Sequence, residues 1–334
     1  MRNRARTLVA ACAAAAVLMV GTACASGGDS GGTSTSSGAH EAATGFPVKL
    51  QHRFGTATIP AEPKRIIALS YEEDTLATLG ITPIAYAKNE YKPDGAFPWL
   101  AGKADLSKAT ALDTTGDLNL EQIASLRPDL ILATNFYGLT DYYERLSKIA
   151  PTVGFDKDAG ISTWQEVSTV IGKAVGRAAQ AEKAIAATEK SISGIVTELP
   201  GLTNKTFSYS FYYEPNGLAV IDDPRTISIQ LYDQLGMRLS PNVTRNVVDR
   251  SLSMEKIGAL DADFLLIGFA SKELRNELAA NRLFQQIPAV TAGRALEVDA
   301  FTAGAVNNPT ILNIPWQLDQ LRPTLTKVAA VAAG

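Results

Sequence analysis

Leu112–Gly138, LDTTGDLNLEQIASLRPDLILATNFYG, decides the fold, because a weaker copy of its middle recurs after Arg250. Aligning Asn119–Ala133 (NLEQIASLRPDLILA) with Ser253–Ile267 (SMEKIGALDADFLLI) leaves five of fifteen positions identical: Glu, Ile, Leu, Asp and Leu. In each copy a small polar residue, Asn119 or Ser253, is placed to N-cap a short helix. Glu121 or Glu255 then occupies the first turn, where the positive end of the helix dipole favours a carboxylate. A continuous apolar run follows, Leu130–Ala133 or Phe264–Ile267, as expected of a strand buried on both faces of a parallel sheet. A repeat at this separation implies two αβ lobes of one design rather than a short-period solenoid.

Upstream, Val48–Phe54 and Gly55–Ile59 read as a hairpin turning at Gly55, and Ile66–Ser70 as a buried strand. A helix follows with Glu72, Glu73 and Asp74 in its first turn and Leu76 and Leu79 facing inward, ended by Gly80 before a strand over Ile84–Ala87. The loop from Tyr91 to Trp99 is richer in aromatics than a solvated connection requires. Downstream, Tyr142–Ile149 reads as a helix and Pro151–Val153 as a strand. An amphipathic helix spans Trp164–Val175, and a Gly-poor one runs from Ala178 to Leu199, about 30 Å at 1.5 Å per residue. Such a rod between two similar lobes is a rigid connector. The second lobe restarts with a hairpin over Phe207–Ile221, turning at Pro215-Asn216-Gly217, and a helix over Ile227–Leu235. After the repeat come a helix over Leu274–Ala280, a strand over Arg294–Val298 and a helix over Thr310–Leu325.

The N-terminus reads differently. Met1–Arg6 is basic, Leu8–Val20 is apolar but short for a membrane span, and small residues precede Cys24, so residues 1–23 form an export signal. It resembles a lipoprotein signal with Cys24 as the lipidated residue, although Gly21 stands where an aliphatic residue is usual. Ordinary secretion with cleavage after Ala23 or Ala25 is the alternative. Residues 24–45, rich in Gly, Ser, Thr and Ala, form a flexible tether. The remaining boundaries are an N-terminal α/β lobe at 46–176, the connecting helix at 177–199 and a C-terminal α/β lobe at 200–334.

Composition narrows the function. The 31 Lys and Arg nearly balance the 34 Asp and Glu, and no basic run follows residue 6, so nucleic-acid binding has no support. The two cysteines are Cys12 and Cys24, which excludes disulfides and thiolate metal sites from the body. Phosphate loops, nucleophile elbows and His-Glu-x-x-His are absent, and the two histidines are His40 in the tether and His52 in the hairpin, the latter read as a plain surface or hairpin residue. No catalysis, no cofactor and no directly bound metal are therefore expected.

In parallel α/β sheets ligands sit beyond the carboxyl ends of the strands. The residues there are Tyr71, Tyr91, Thr134, Phe136 and Tyr137 in the first lobe, with Trp99 in the aromatic loop. The second lobe adds Tyr212, Tyr213, Arg250 and Phe301. This set suits a large, partly apolar ligand whose oxygens meet tyrosine hydroxyls and one arginine; core packing is the competing role for each. Glu121 and Glu255, one per lobe, either complement helix dipoles or form a two-point docking surface for arginines of a partner.

Pro63–Ser70 (PKRIIALS), a helix ending Leu79-Gly80-Ile81, and Asn119–Ile131 (NLEQIASLRPDLI) resemble the extracellular solute-binding proteins for ferric siderophores, haem and cobalamin that serve ATP-driven importers. Ile287–Val290 and Gly293-Arg294 add a weaker match. The resemblance spans about residues 47 to 325. It implies two α/β lobes with mostly parallel sheets, joined by one long rigid helix, with the ligand in the cleft between them. It also implies that Glu121 and Glu255 dock on an ABC permease working with its ATPase. The expected protein is a monomer, lipid-anchored at the outer face of the membrane, carrying a ferric siderophore. Glu72, Glu73 and Asp74 beside Tyr71 favour a neutral or cationic hydroxamate over an anionic catecholate. Haem, with Tyr71 or Tyr137 on the iron, is one alternative, and a cell-surface hydrolase on the same scaffold is another.

Overall fold

The structure, a computed structural model, describes residues 45–331; the signal, Cys24 and nearly all of the tether lie outside the described residues. The first lobe runs β1 (Val48–His52), β2 (Gly55–Ile59), β3 (Ile66–Ala68), α1 (Glu72–Thr78), β4 (Ala85–Ala87), β5 (Thr110–Leu112), α2 (Leu120–Ser125), β6 (Leu130–Leu132), α3 (Leu139–Leu146), β7 (Thr152–Val153) and α4 (Trp164–Ala174). After α5 (Ala178–Glu198) the second lobe has β8 (Thr206–Glu214), β9 (Gly217–Val220), α6 (Ile227–Gln234), β10 (Arg238–Leu239), α7 (Pro241–Asn246) and β11 (Phe264–Phe269). It closes with α8 (Lys272–Ala280), α9 (Arg282–Gln285), α10 (Pro288–Thr291), β12 (Ala295–Asp299), α11 (Ala300–Asn307) and α12 (Asn313–Ala329).

The first-lobe sheet has the order β5-β4-β3-β6-β7 and is parallel throughout. The second has the order β10-β8-β11-β12, all parallel, with β9 antiparallel on β8. Strand pleating explains the unbroken apolar runs. Leu130 and Leu132 pack on one side of the first sheet and Ile131 and Ala133 on the other. Phe264 and Leu266 likewise oppose Leu265 and Ile267 in the second.

Both copies of the repeat begin with the expected cap: Asn119 accepts from Gln122 N, and Ser253 from Glu255 N. They diverge after it. The first continues as an α-helix, whereas Met254–Leu260 winds as a 3₁₀ helix. Three elements carry no independent sequence signal, namely β5, β10 and α11. The strands are two or three residues long, and α11 (AFTAGAVN) is apolar almost all round, so no periodicity separates it from a buried strand.

The 21-residue α5, about 30 Å long, joins two cores. Its first turn buries Ala181 in the first lobe, while Ile192 and Ile195 pack into the second. Thr188 Oγ1 donates to Ile311 O across 2.9 Å. A second tie between the lobes is aromatic. Trp99 stacks on Phe301 with centroids 5.4 Å apart and lies 5.0 Å from Trp316, and Phe97 lies 5.5 Å from Trp99.

Candidate functional site

The carboxyl ends of β3, β4, β5 and β6 open into a cleft of about 640 Å³ that is closed on its far side by the C-terminal end of α11. Of the residues singled out from sequence, Tyr71, Tyr91, Phe136 and Tyr137 line it. Glu72 organises its floor. The buried Glu72 carboxylate accepts from Ser70 N at 2.6 Å, Ser70 Oγ at 2.8 Å, Thr134 N at 2.6 Å and Thr134 Oγ1 at 2.8 Å. These four bonds pin the ends of adjacent strands β3 and β6 together. Ser70 Oγ in turn accepts from Asn135 N at 3.0 Å.

Tyr71, between Ser70 and Glu72, is thereby held with φ at 66°, a left-handed conformation unusual for an aromatic residue. Its hydroxyl pKa is pushed up to about 12 by burial and by the nearby Glu73, Asp74 and Tyr91. It is therefore a neutral donor at physiological pH. Behind the lining, Gly160 has φ at 77°, and a Cβ there would collide with the Tyr137 hydroxyl. Gly160 N donates to Asn135 Oδ1, and its carbonyl accepts from Ile227 N of the second lobe at 2.9 Å.

The acidic run after Tyr71 does not face the cleft, contrary to the sequence reading. Glu72, Glu73 and Asp74 are all buried beneath the floor. Glu73 Oε2 has no partner, and burial together with the Asp74 charge raises its pKa well above the usual carboxylate range. Asp74 accepts from Trp99 Nε1 at 2.9 Å and from Thr310 Oγ1 of the second lobe at 2.5 Å. Burial nevertheless lifts its pKa to about 7. The charges that do line the cleft are Glu90, Asp117 and Asp141, against one ammonium, Lys88. Asp117 is oriented by Tyr142, whose hydroxyl donates to Asp117 Oδ1 at 3.1 Å and accepts from Leu118 N at 3.0 Å. Sequence reasoning missed Asp117 because β5, which delivers its loop, is only three residues long.

The other residues singled out lie elsewhere. Thr134 is buried against Glu72 and borders a separate cavity beside α4. Trp99 and Phe301 are buried in the interlobe stack. Tyr212 is buried, donating to Glu277 Oε1 at 2.7 Å and accepting from Asn216 N at 2.9 Å, so it fixes the β8–β9 turn. Tyr213 is exposed against Gly217 of the same turn. Arg250, with φ at 60°, sits on a tight turn with Asp249, outside the lining of the cleft. His52 is buried rather than at the surface, edge-on to Tyr143, with its pKa lowered by burial. Glu121 and Glu255 are exposed on separate lobes. Among the described residues no group of His, Cys, Asp and Glu is arranged to hold a metal ion, and no helix is long and apolar enough to cross a membrane.

Residues 66–300 match the model of the periplasmic binding protein family, more than half of the chain. The chain belongs to that family. The Fe(3+)-citrate-binding protein YfmC of Bacillus subtilis is 28% identical over 256 residues, covering 74% of this chain and 77% of YfmC. The ferric-anguibactin-binding protein FatB of Vibrio anguillarum is 25% identical over 305 residues, covering 82% of this chain and 86% of FatB. The crystal structure of a periplasmic solute binding protein from Mycobacterium smegmatis superposes with a TM-score of 0.74 at 27% identity, covering 85% of this chain and 99% of that one. As in other members, this periplasmic binding protein has two α/β lobes with the cleft between them.

Proposed function

We propose that this binding protein captures a ferric siderophore of the hydroxamate type and hands it to an ABC permease and its ATPase. Cys24 would hold it by a lipid at the outer face of the membrane, and Glu121 and Glu255 would contact the permease. The relatives that bind ferric citrate and ferric anguibactin support an iron complex as cargo. The charge of the cleft is the observation that carries the finer reading. Three carboxylates against one lysine, with no arginine in the lining, repel an anionic ferric catecholate or citrate and tolerate a neutral or cationic trihydroxamate. Neutral tyrosine hydroxyls and the Asn89, Asn135 and Asn307 amides supply donors for hydroxamate oxygens. Haem is the weaker reading, since the raised pKa of Tyr71 disfavours the phenolate that would ligate its iron.

The test is tryptophan-fluorescence titration with ferrioxamine-type, citrate, catecholate and haem ligands. The trihydroxamate should bind at least tenfold more tightly than the anionic complexes. Tighter binding of ferric citrate or a ferric catecholate refutes the hydroxamate assignment, and a Soret shift lost on Tyr71→Phe or Tyr137→Phe would establish haem instead.

A further inference from the structure

The cleft does not end at α11. A second cavity of about 290 Å³ opens from it, with Tyr91, Gly304 and Asn307 common to both linings. The two spaces differ in chemistry. The cleft has four charged side chains in its lining, and the second cavity has none. Its second-lobe wall is made by Tyr209, Ser210 and Phe211 of β8, by Ala219 of β9, which pairs directly with Phe211, and by Ile221 just beyond β9; the buried Ser210 Oγ is the one polar side-chain atom of that wall without a hydrogen-bond partner. Ala300 and Ala303 of α11 complete the apolar lining. The Tyr209 hydroxyl is already committed, donating to Ala303 O at 2.7 Å.

Gly304 marks the threshold. It sits inside α11, where glycine costs about 1 kcal/mol relative to alanine. Its φ is not in the left-handed region, and a Cβ there would meet nothing within 4 Å. Backbone strain and packing therefore do not demand glycine at this position, which lines both spaces.

We infer that this niche holds a hydrocarbon substituent of the ligand, an alkyl or acyl chain attached to a siderophore whose chelated iron occupies the acidic cleft. The inference rests on the siderophore reading above. An apolar niche continuous with a polar cleft fits two ends of one amphiphilic molecule. A separate small ligand would leave unexplained why Tyr91, Gly304 and Asn307 line both spaces. Each fully covered methylene strengthens binding about fourfold, from about 0.8 kcal/mol per buried CH₂, so three covered methylenes give on the order of 50-fold.

The experiment uses the full chain and two ferric complexes of one linear trihydroxamate, N-acetylated or N-decanoylated at the same terminus. The decanoyl complex should bind on the order of 50-fold more tightly. Ala219→Leu, which fills the niche away from the cleft, should abolish that advantage and leave the acetyl complex within about twofold. Ile221→Ala, which removes apolar wall without adding bulk, should shrink the advantage about tenfold and serves if the leucine variant does not fold. Equal affinity for the two complexes overturns the inference, as does an equal loss for both in the variants. If neither complex binds, the siderophore reading itself fails and the inference falls with it.

Discussion

Asp74→Asn should stabilise the protein at neutral pH, although it removes a carboxylate that accepts two hydrogen bonds, one of them from Thr310 across the lobe contact. Asp74 is fully buried without a counter-cation, and its pKa stands at about 7 rather than its ordinary 3.8. A carboxyl whose folded pKa is raised binds its proton more tightly in the folded state. Its stabilising effect is complete below about pH 4, is lost as pH rises toward 7, and stays lost above that. At 1.36 kcal/mol per pKa unit the full loss is on the order of 4 kcal/mol. Asparagine avoids that loss. Its Oδ1 still accepts from Trp99 Nε1, while its Nδ2 donates to Thr310 Oγ1 and leaves the threonine proton to find another acceptor, a cost of about 1 kcal/mol. The variant should thus be about 1 kcal/mol less stable than the natural protein at pH 4 and about 2 to 3 kcal/mol more stable at pH 8. Urea unfolding followed by fluorescence at pH 4, 5, 6, 7 and 8 reads the difference. A stability gap that does not change with pH, or a natural protein more stable at pH 8, would refute the reasoning and show that the ionised carboxylate strengthens the lobe contact.

Trp99→Ala removes the ring at the centre of the stack with Phe97, Phe301 and Trp316 and should cost about 3 to 5 kcal/mol in thermal or urea unfolding; a loss under about 1 kcal/mol would show that the stack is not load-sharing between the lobes. Reversing both exposed glutamates, Glu121→Arg with Glu255→Arg, should change stability by less than about 0.5 kcal/mol each. In whole-cell uptake of labelled ferric ligand the pair should abolish transport while leaving affinity within twofold, and an equal fall in affinity would place those residues in ligand binding instead.

The parts of the fold legible in the sequence are those where one physical requirement dominates a run of residues. Strands β3, β6 and β11 are buried on both faces and so are written as runs without a polar residue. The polar residue before each repeated helix is there because an orphan backbone N–H needs an acceptor. The composition of α5, poor in glycine and rich in Ala, Glu and Lys, makes it a helix wherever it sits. Short edge elements such as β5 and β10 carry too few residues for a period, and their existence depends on a neighbouring strand to pair with.

The site divides along the same line. Position after a buried strand was enough to place Tyr71, Phe136 and Tyr137 in the cleft lining, because parallel topology sends such residues to one edge of the sheet. Sequence alone could not orient side chains. Glu72, Glu73 and Asp74 look like a solvent-facing helix start, yet the chain turns them under the floor, where Glu72 pins two strands and Asp74 reaches a threonine 236 residues away. Trp99 and Phe301 each read as a ligand contact, and the structure spends them on one another. What the sequence by itself determined is the lobed α/β design and the sheet edge on which the cleft opens, because both follow from local pattern. Which groups line that cleft, how acidic it is and where its apolar extension opens were decided only by tertiary structure, since charge burial and cavity shape depend on residues brought together from both lobes.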